Sequence, residues 1–420
     1  MSHRAQARAR AARNIKAILA GRRTTDWAAA GASQTGLSLE LTYGCLRHYF
    51  SLKAQIDPLL AKPLRSRDGD LYGLLLAGAY QLQRTRIPPH AALFETVTAA
   101  ELLGKAWAKG LINAVLRKLP TTPPAEVAEH PAWLEQRLAD EYGADSVPLM
   151  HANNARAPLC LRINASKVDP ADYRRELDAA GIEYAATWLP EGLVLREPQP
   201  AATLPGFNDG RVAVQDVAAQ LAVAPLLERA APGERVLDAC AAPGGKLFRL
   251  LEARSGLSLT AIDIAPRRLA ALREIAERLG HRGFECRQAD AATLDWWDGT
   301  PFDHVLLDAP CSGTGTLRRH PEIKVLRQPA DVANSAARET TLLANLWRTV
   351  RRGGTLLYCT CSILAEENDQ VVGSFLGRRR DAHPQSVSLP TGRATRHGWQ
   401  LLPLDPATDG LYLALIGKKP

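Results

Sequence analysis

Val305-Leu-Leu-Asp308-Ala-Pro-Cys311-Ser-Gly-Thr-Gly-Thr-Leu-Arg318-Arg319-His320-Pro-Glu322 is an apolar run that stops on an acid, a proline and a cysteine, then enters a glycine-rich and finally basic loop. An α/β sheet presents chemistry in this way, because buried strands carry polar side chains to their carboxyl ends, where a crevice opens. A second such strand follows in Gly354-Thr-Leu-Leu-Tyr-Cys359-Thr-Cys361-Ser362. Working outward, strands are expected at 235–239, 259–264, 284–289, 303–307 and 355–360, separated by helices, with a closing pair near 400–404 and 411–416. That alternation predicts a doubly wound, mostly parallel sheet from residue 213 to the end.

The remaining chain is of a different kind. Residues 36–119 read as helix after helix, broken at Pro88-Pro89. Pro120-Thr-Thr-Pro-Pro-Ala125 is the clearest linker, since prolines cannot continue a helix. Beyond it a small α+β module is expected, with a helix at 133–142, a strand at 159–163, a helix at 170–180 and short strands at 182–186 and 193–195. It carries no catalytic motif. Three parts follow: all-α at 1–125, α+β at 126–212, and α/β at 213–420.

At 420 residues the chain has room for several cores, since single cores stop growing near ~250 residues. No apolar run approaches the ~20 residues of a membrane span, so a soluble, membrane-free protein is expected. Seven cysteines without a secretory signal read as reduced thiols of the cytoplasm. The Arg-rich start, with seven basic residues and no acid before Asp26, can mimic a transit peptide; a first helix with a basic face is the preferred reading. Charge is segregated: residues 1–130 hold 18 Lys and Arg against 9 Asp and Glu, while the rest hold 34 against 35. A basic module joined to a neutral one suggests a polyanion held by the first and processed by the second.

Cys240-Ala241-Ala242-Pro243-Gly244-Gly245-Lys246 follows the strand at 235–239 and opens a helix. Its small residues let backbone approach a ligand at a helix N-terminus. Asp263 ends the next strand, where a carboxylate can take a ribose, and Asp290 ends the third, within reach of an adenine amino group. Both could equally be helix caps or surface carboxylates. The loop has neither dinucleotide nor P-loop spacing, so a ligand with adenine and ribose but no pyrophosphate fits, and S-adenosylmethionine is the obvious one.

Cys311 and Cys361 lie just beyond neighbouring strands and should face one crevice. Methylation of a pyrimidine at carbon 5 explains such a pair, since thiolate addition at carbon 6 makes carbon 5 nucleophilic. Asp308 is placed as the acid supporting the ring nitrogen. A structural role is kept for Cys45, Cys160, Cys286 and Cys359. A zinc site of Cys240, Cys311, Cys359 and Cys361 is the rival, but its spacing departs from the usual paired ligands, and no metal is expected.

Asp-Ala-Cys-Ala-Ala-Pro-Gly-Gly-Lys (238–246), Asp-Ala-Pro-Cys-Ser-Gly-Thr-Gly (308–315), Arg-Arg-His-Pro-Glu-Ile-Lys (318–324) and Thr-Cys-Ser-Ile-Leu-Ala-Glu-Glu-Asn (360–368) resemble the motifs of RNA cytosine-5 methyltransferases. Tyr-Gly-Cys-Leu-Arg (43–47) and Ile-Asn-Ala-Val-Leu-Arg (112–117) resemble the NusB-like domain of the Sun/Fmu/RsmB branch. The resemblance implies an N-terminal NusB-like RNA-binding domain, a small α+β module, and a Rossmann-like class I S-adenosylmethionine-dependent methyltransferase domain acting on 16S ribosomal RNA. It implies that residues 240–246 with Asp263, Asp290 and Asp308 hold the cofactor. It makes Cys361 the nucleophile and Cys311 the group that helps release methylated RNA. Arg318, Arg319 and His320 then read as a clamp on RNA phosphates. Glu366 and Glu367 are expected to open the last helix, and Trp296 and Trp297 to pack or cap a turn. A monomer is expected. A non-catalytic RNA-binding factor would have no use for the two cysteines, and an exocyclic-amine methyltransferase should show Asn/Asp-Pro-Pro-aromatic in place of Asp-Ala-Pro-Cys.

Overall fold

The computed structural model describes residues 3–21, 36–122 and 127–420, so part of the predicted linker, 123–125, lies outside the described residues. The described chain forms two compact units. One holds the residues up to Ala155 together with Leu317–Arg327; the other holds Arg156–Thr316 with Gln328–Pro420.

The first unit is helical: α1 (His3–Leu19), α2 (Gly36–Arg47), α3 (Tyr49–Ile56), α4 (Gly69–Arg84), α5 (Pro89–Leu102), α6 (Lys109–Leu116), α7 (Ala132–Tyr142) and α8 (Ser146–Asn154). Helix α1 packs against α2, α4 and α5. Its alanines leave room for that: Ala5, Ala9, Ala11 and Ala12 are buried, and a Cβ on Gly73 of α4 would come within 2.6 Å of the Ala12 carbonyl. The expected basic face is narrower than the composition suggests, because Arg8 is itself buried.

His130, just before α7, is buried, and its Nε2 has no partner among the described residues. Burial, then the nearby Lys324 and His151, hold its imidazole down to about 2, against an ordinary 6.5. Below pH 6.5 the unfolded chain therefore takes up a proton that the folded chain refuses, and stability falls as pH falls. The expected loss is about 2 kcal/mol between pH 6.5 and 5. Urea midpoints at the two pH values should show it, and His130→Phe should flatten it.

The second unit contains two sheets. Strands β1 (Leu159–Ile163), β2 (Tyr184–Ala186), β3 (Gly192–Leu195) and β4 (Val212–Val214) form an antiparallel sheet in the order β2-β3-β1-β4, with α9 (Pro170–Ala179) in the chain between β1 and β2. Tyr173 and Leu177 of α9 join its core with Leu161, Ile163 and Leu193.

Two short helices, α10 (Val217–Leu221) and α11 (Ala224–Leu227), lead to the larger sheet. Its strands are β5 (Arg235–Ala239), β6 (Ser258–Asp263), β7 (Glu285–Gln288), β8 (Phe302–Asp308), β9 (Val350–Thr360), β10 (Ala382–Gln385), β11 (Arg393–Ala394), β12 (Trp399–Leu401) and β13 (Leu411–Lys418). Helices α12 (Gly245–Ala253), α13 (Pro266–Leu279), α14 (Glu322–Leu326, within the first unit), α15 (Pro329–Trp347) and α16 (Asp369–Arg378) intervene.

Strand order is β11-β12-β13-β9-β8-β5-β6-β7, with β10 also on β13. Strands β5 to β9 pair parallel, and β13 pairs antiparallel with β9. Alternate residues feed two cores: Leu306, Leu357 and Cys359 on one face, Val305, Leu307, Leu356 and Tyr358 on the other. Burial on both faces explains why these strands read as continuous apolar runs. The order reverses between β5 and β8, so the crevice opens at their carboxyl ends.

Candidate active site

At that switch point, β8 ends in Asp308 and β9 in Thr360, register-paired so that Asp308 faces Cys359. Cys311 stands three residues beyond Asp308 and Cys361 two beyond Cys359, with sulfurs 3.2 Å apart. Cys311 is raised well above an ordinary thiol, first because it donates to Cys361 and then by burial; Glu367 and Glu339 add to it. Cys361 is lowered, first by the hydrogen bond from Cys311 and further by Lys246, against burial and Asp308. The contact thus favours the proton on Cys311 and makes Cys361 the readier of the two thiols to ionise.

Glu367 ties the two strand ends together. Its carboxylate accepts from the Ser312 backbone N–H at 2.6 Å, the Ser312 hydroxyl at 2.6 Å and the Ser362 hydroxyl at 2.5 Å. This corrects the expected helix-opening role: α16 starts only at Asp369, and Glu367 is buried. Asn368 accepts from the Thr360 hydroxyl and donates to the Ser362 carbonyl. Gly315 donates its N–H to the Cys361 carbonyl at 2.8 Å, and a Cβ there would lie 2.2 Å from the Gly410 carbonyl, so only glycine fits.

The loop after β5 turns sharply, with Cys240 at φ 61° and Gly244 at φ 103°. Burial and then Asp308 push the Cys240 thiol up to about 12. Asp263 accepts from the Ala242 N–H at 3.2 Å and the Ala265 N–H at 3.0 Å, and Arg268 lies 3.3 Å away, so this carboxylate shapes the loop as well as facing the crevice. Asp290 accepts from the Ala292 N–H at 2.9 Å, as a turn-capping residue does. Lys246 is 2.7 Å from Asp308. Burial alone would lower its ammonium, but Asp308 and the neighbouring thiols raise it, so it stays charged as the carboxylate's counterion. Phe248 packs under Gly244, stacked on His281 at 5.5 Å.

Two site-shaping residues escaped the sequence reading. Asp238, 1% exposed, has neither carboxyl oxygen partnered among the described residues. Burial, then Asp308, push it well above the carboxylate range. An orphaned acid beside a glycine loop fits a ligand bearing a cationic amino acid end. Arg162 of β1 grips Glu252 of α12 through two bonds of 2.7 and 2.8 Å, donates to the Gly245 carbonyl at 2.9 Å, and also bonds Gln215. The small module, without a motif of its own, therefore braces the loop after β5 and helix α12. Each was signalled by a charge inside an apolar strand.

The basic segment belongs to the first unit. Lys324 is buried there, donating to the Arg47 carbonyl, the Glu129 carbonyl and Asn154 Oδ1 at 2.5, 2.6 and 2.5 Å, and Arg47 donates to the Arg318 carbonyl at 3.0 Å. Arg318 is buried at 3% exposure, and Arg319 and His320 are half-buried. Trp296 and Trp297 cap their own turn, donating to Thr293 and Thr300 carbonyls. Among the described residues no helix is long and apolar enough to cross a membrane.

A parallel sheet with a glycine loop and strand-end acids at its switch point defines a S-adenosylmethionine-dependent methyltransferase, and sequence comparison agrees. The family model of 16S rRNA methyltransferase RsmB/F matches residues 225–417, the RsmF/B-like ferredoxin-like domain 130–202, and the NusB family 5–120. The ribosomal RNA small subunit methyltransferase B of Pseudomonas syringae pv. tomato is 45% identical over 401 residues, covering 91% of this chain and 89% of its own. That of Pseudomonas putida is 42% identical over 427 residues, covering 97% of each. The crystal structure of PH0851 shares the fold with a TM-score of 0.85 at 23% identity, covering 98% of this chain and 99% of the other. The chain belongs to the RsmB/F methyltransferase family.

Proposed function

We propose that this protein transfers the methyl group of S-adenosylmethionine to carbon 5 of a cytosine in 16S ribosomal RNA, through a covalent bond between Cys361 and carbon 6. The observation that carries this reading is the 3.2 Å contact of Cys311 and Cys361, which lowers the Cys361 thiol, beside the Asp308 and Lys246 pair.

Bound in the loop at 240–246 and against Asp263 and Asp290, the cofactor supplies an electrophilic methyl group. The protein's residues make the acceptor. Cys361 thiolate adds to carbon 6, and Asp308, held by Lys246, supports the ring nitrogen and amino group as charge develops there. Once Cys361 is bonded to carbon, Cys311 no longer donates to an anion and loses its proton to solvent. As a thiolate it takes the carbon 5 proton after methylation. The electrons of that C–H bond restore the carbon 5–carbon 6 double bond, and the carbon–sulfur bond breaks with its pair returning to Cys361. One proton leaves per turnover.

Residues 1–125 and 126–212 are assigned to RNA binding, consistent with the excess of 18 basic over 9 acidic residues in the first 130. Arg319 and His320 are the better candidates for phosphate contact, Arg318 being buried. A cytoplasmic monomer is the working state. The test uses 16S transcript carrying tritium at cytosine carbon 5. Carbon 5 methylation releases one tritium to water per methyl incorporated, whereas methyl incorporation without release would reject the site of transfer.

A further inference from the structure

Gly244 and Gly245 stand where the loop after β5 becomes helix α12. Glycine is the most permissive residue, and neither has a side chain that packing could hold. Their backbone keeps its place only if other groups hold it, and one buried network does so for both. Arg162 of β1 donates from Nη1 to the Gly245 carbonyl at 2.9 Å and to Gln215 Oε1. Gln215 in turn backs Gly245 so closely that a Cβ there would lie 3.0 Å from its Nε2. Arg162 Nε and Nη2 donate to the two oxygens of Glu252, whose Oε1 also lies 3.2 Å from His281 Nε2. His281 stacks on Phe248, and a Cβ on Gly244 would lie 2.5 Å from the Phe248 ring.

A buried ion pair is weak ground for stability, because apolar side chains of similar volume often hold two elements together as well or better. The side chains of Arg162 and Glu252 are 1% and 0% exposed, so both charges have been taken fully out of water. What an apolar pair cannot supply is a donor for the Gly245 carbonyl. Arg162 serves the carboxylate and the carbonyl at once, because its N–H groups diverge in a fixed plane. We infer that Arg162 is a positioning residue for S-adenosylmethionine: through it the small module fixes the backbone at 244–245, so that the cofactor meets a preformed loop. The cofactor then binds without having to order that loop, which strengthens binding. Buried as it is, Arg162 offers RNA no contact, so the module assigned to RNA binding has a second task. The inference rests on the assignment of residues 240–246 to the cofactor.

Arg162→Met alone leaves Glu252 as an uncompensated buried charge, whereas Arg162→Met with Glu252→Met removes both charges and is close to neutral for folding. The double variant still lacks the donor to Gly245. In the full chain its S-adenosylmethionine affinity, read by calorimetry, should fall about tenfold or more. Binding of 16S transcript should stay within about twofold of wild type, as should the rate of methyl transfer at saturating cofactor. Amide hydrogen exchange at 244–249 without cofactor should quicken about tenfold or more. Wild-type cofactor affinity or unaltered exchange in the folded double variant overturns the inference, and so does an equal loss of RNA binding. Arg162→Gln with Glu252→Gln, a neutral pair able to bond to each other, gives the same readouts if the methionine pair does not fold. Gly244→Ala tests the loop assignment by itself with Arg162 intact, since φ 103° and the Phe248 ring leave no room for a Cβ. Unchanged cofactor binding there rejects the loop as the cofactor site. Weakened binding there, with wild-type binding in the double variant, rejects only the role of Arg162.

Discussion

Cys361→Ala is expected to reduce methyl transfer by more than about a thousandfold while leaving S-adenosylmethionine binding within about twofold of wild type. Alanine removes the sulfur assigned to add to carbon 6, whereas the cofactor is assigned to the loop at 240–246 after β5, whose residues the substitution leaves in place. Single-turnover assays on 16S transcript, with cofactor binding by calorimetry, separate the two. Cys311→Ala has the opposite signature. Addition through Cys361 persists, the carbon 5 proton has no base, and a covalent protein–RNA adduct should accumulate as a slow band on a denaturing gel. Retained turnover in the first variant would reject Cys361 as nucleophile, and absence of the band in the second would reject the release role of Cys311. The 3.2 Å contact also predicts that removing Cys311 raises the Cys361 thiol, since the donor stabilising its charge is gone.

Glu367→Ala should cut methyl transfer by about a hundredfold or more without touching a reacting atom. Its carboxylate joins the loop after β8 to the loop after β9 through Ser312 and Ser362, and these are the loops that bring the two sulfurs together. Alanine leaves three buried donors unpaired, a loss of about 1–3 kcal/mol in stability for each that finds no new partner. Glu367→Gln retains one accepting oxygen and should recover part of both losses. Rates measured far below each variant's urea midpoint, with cofactor binding unchanged, distinguish misplaced thiols from a smaller folded fraction. A Glu367→Ala enzyme with wild-type rate per folded molecule would show that the thiol pair needs no such tether.

Much of this site was legible before folding. Strands β5, β6, β8 and β9 are short apolar runs with polar tips, and their tips hold the loop at 240–246, Asp263, Asp308, Cys311 and Cys361. Parallel order follows from the helices between them, and parallel order places all those tips on one edge. The thiol contact itself follows from β8 and β9 being neighbours.

Other features were carried by the same residues yet could not be read. Arg162, Asp238 and Glu339 each interrupt an apolar pattern, and a lone charge in such a pattern says only that something must answer it. For Arg162 the answer is Glu252, 90 residues away. For Asp238 no partner answers among the described residues, and burial raises its carboxyl above the ordinary range; burial raises that of Glu339 likewise. Glu367 looked like a helix opener because Asn368 and Asp369 follow it; the hydroxyls of Ser312 and Ser362 reach it only once two loops meet. The RNA-facing reading of Arg318 failed to anticipate its burial, since segment 317–327 leaves the unit that precedes it and packs with the helices.

The sequence by itself determined the order of elements, the strand ends that meet at the crevice and the residue types available there, because these depend on local periodicity and on side chains that travel with their strands. Tertiary structure alone decided which thiol is lowered and which raised, which buried carboxyls find partners and which module braces the loop at 240–246. Those properties are set by distance, burial and the presence or absence of a partner, none of which is written in the neighbouring residues.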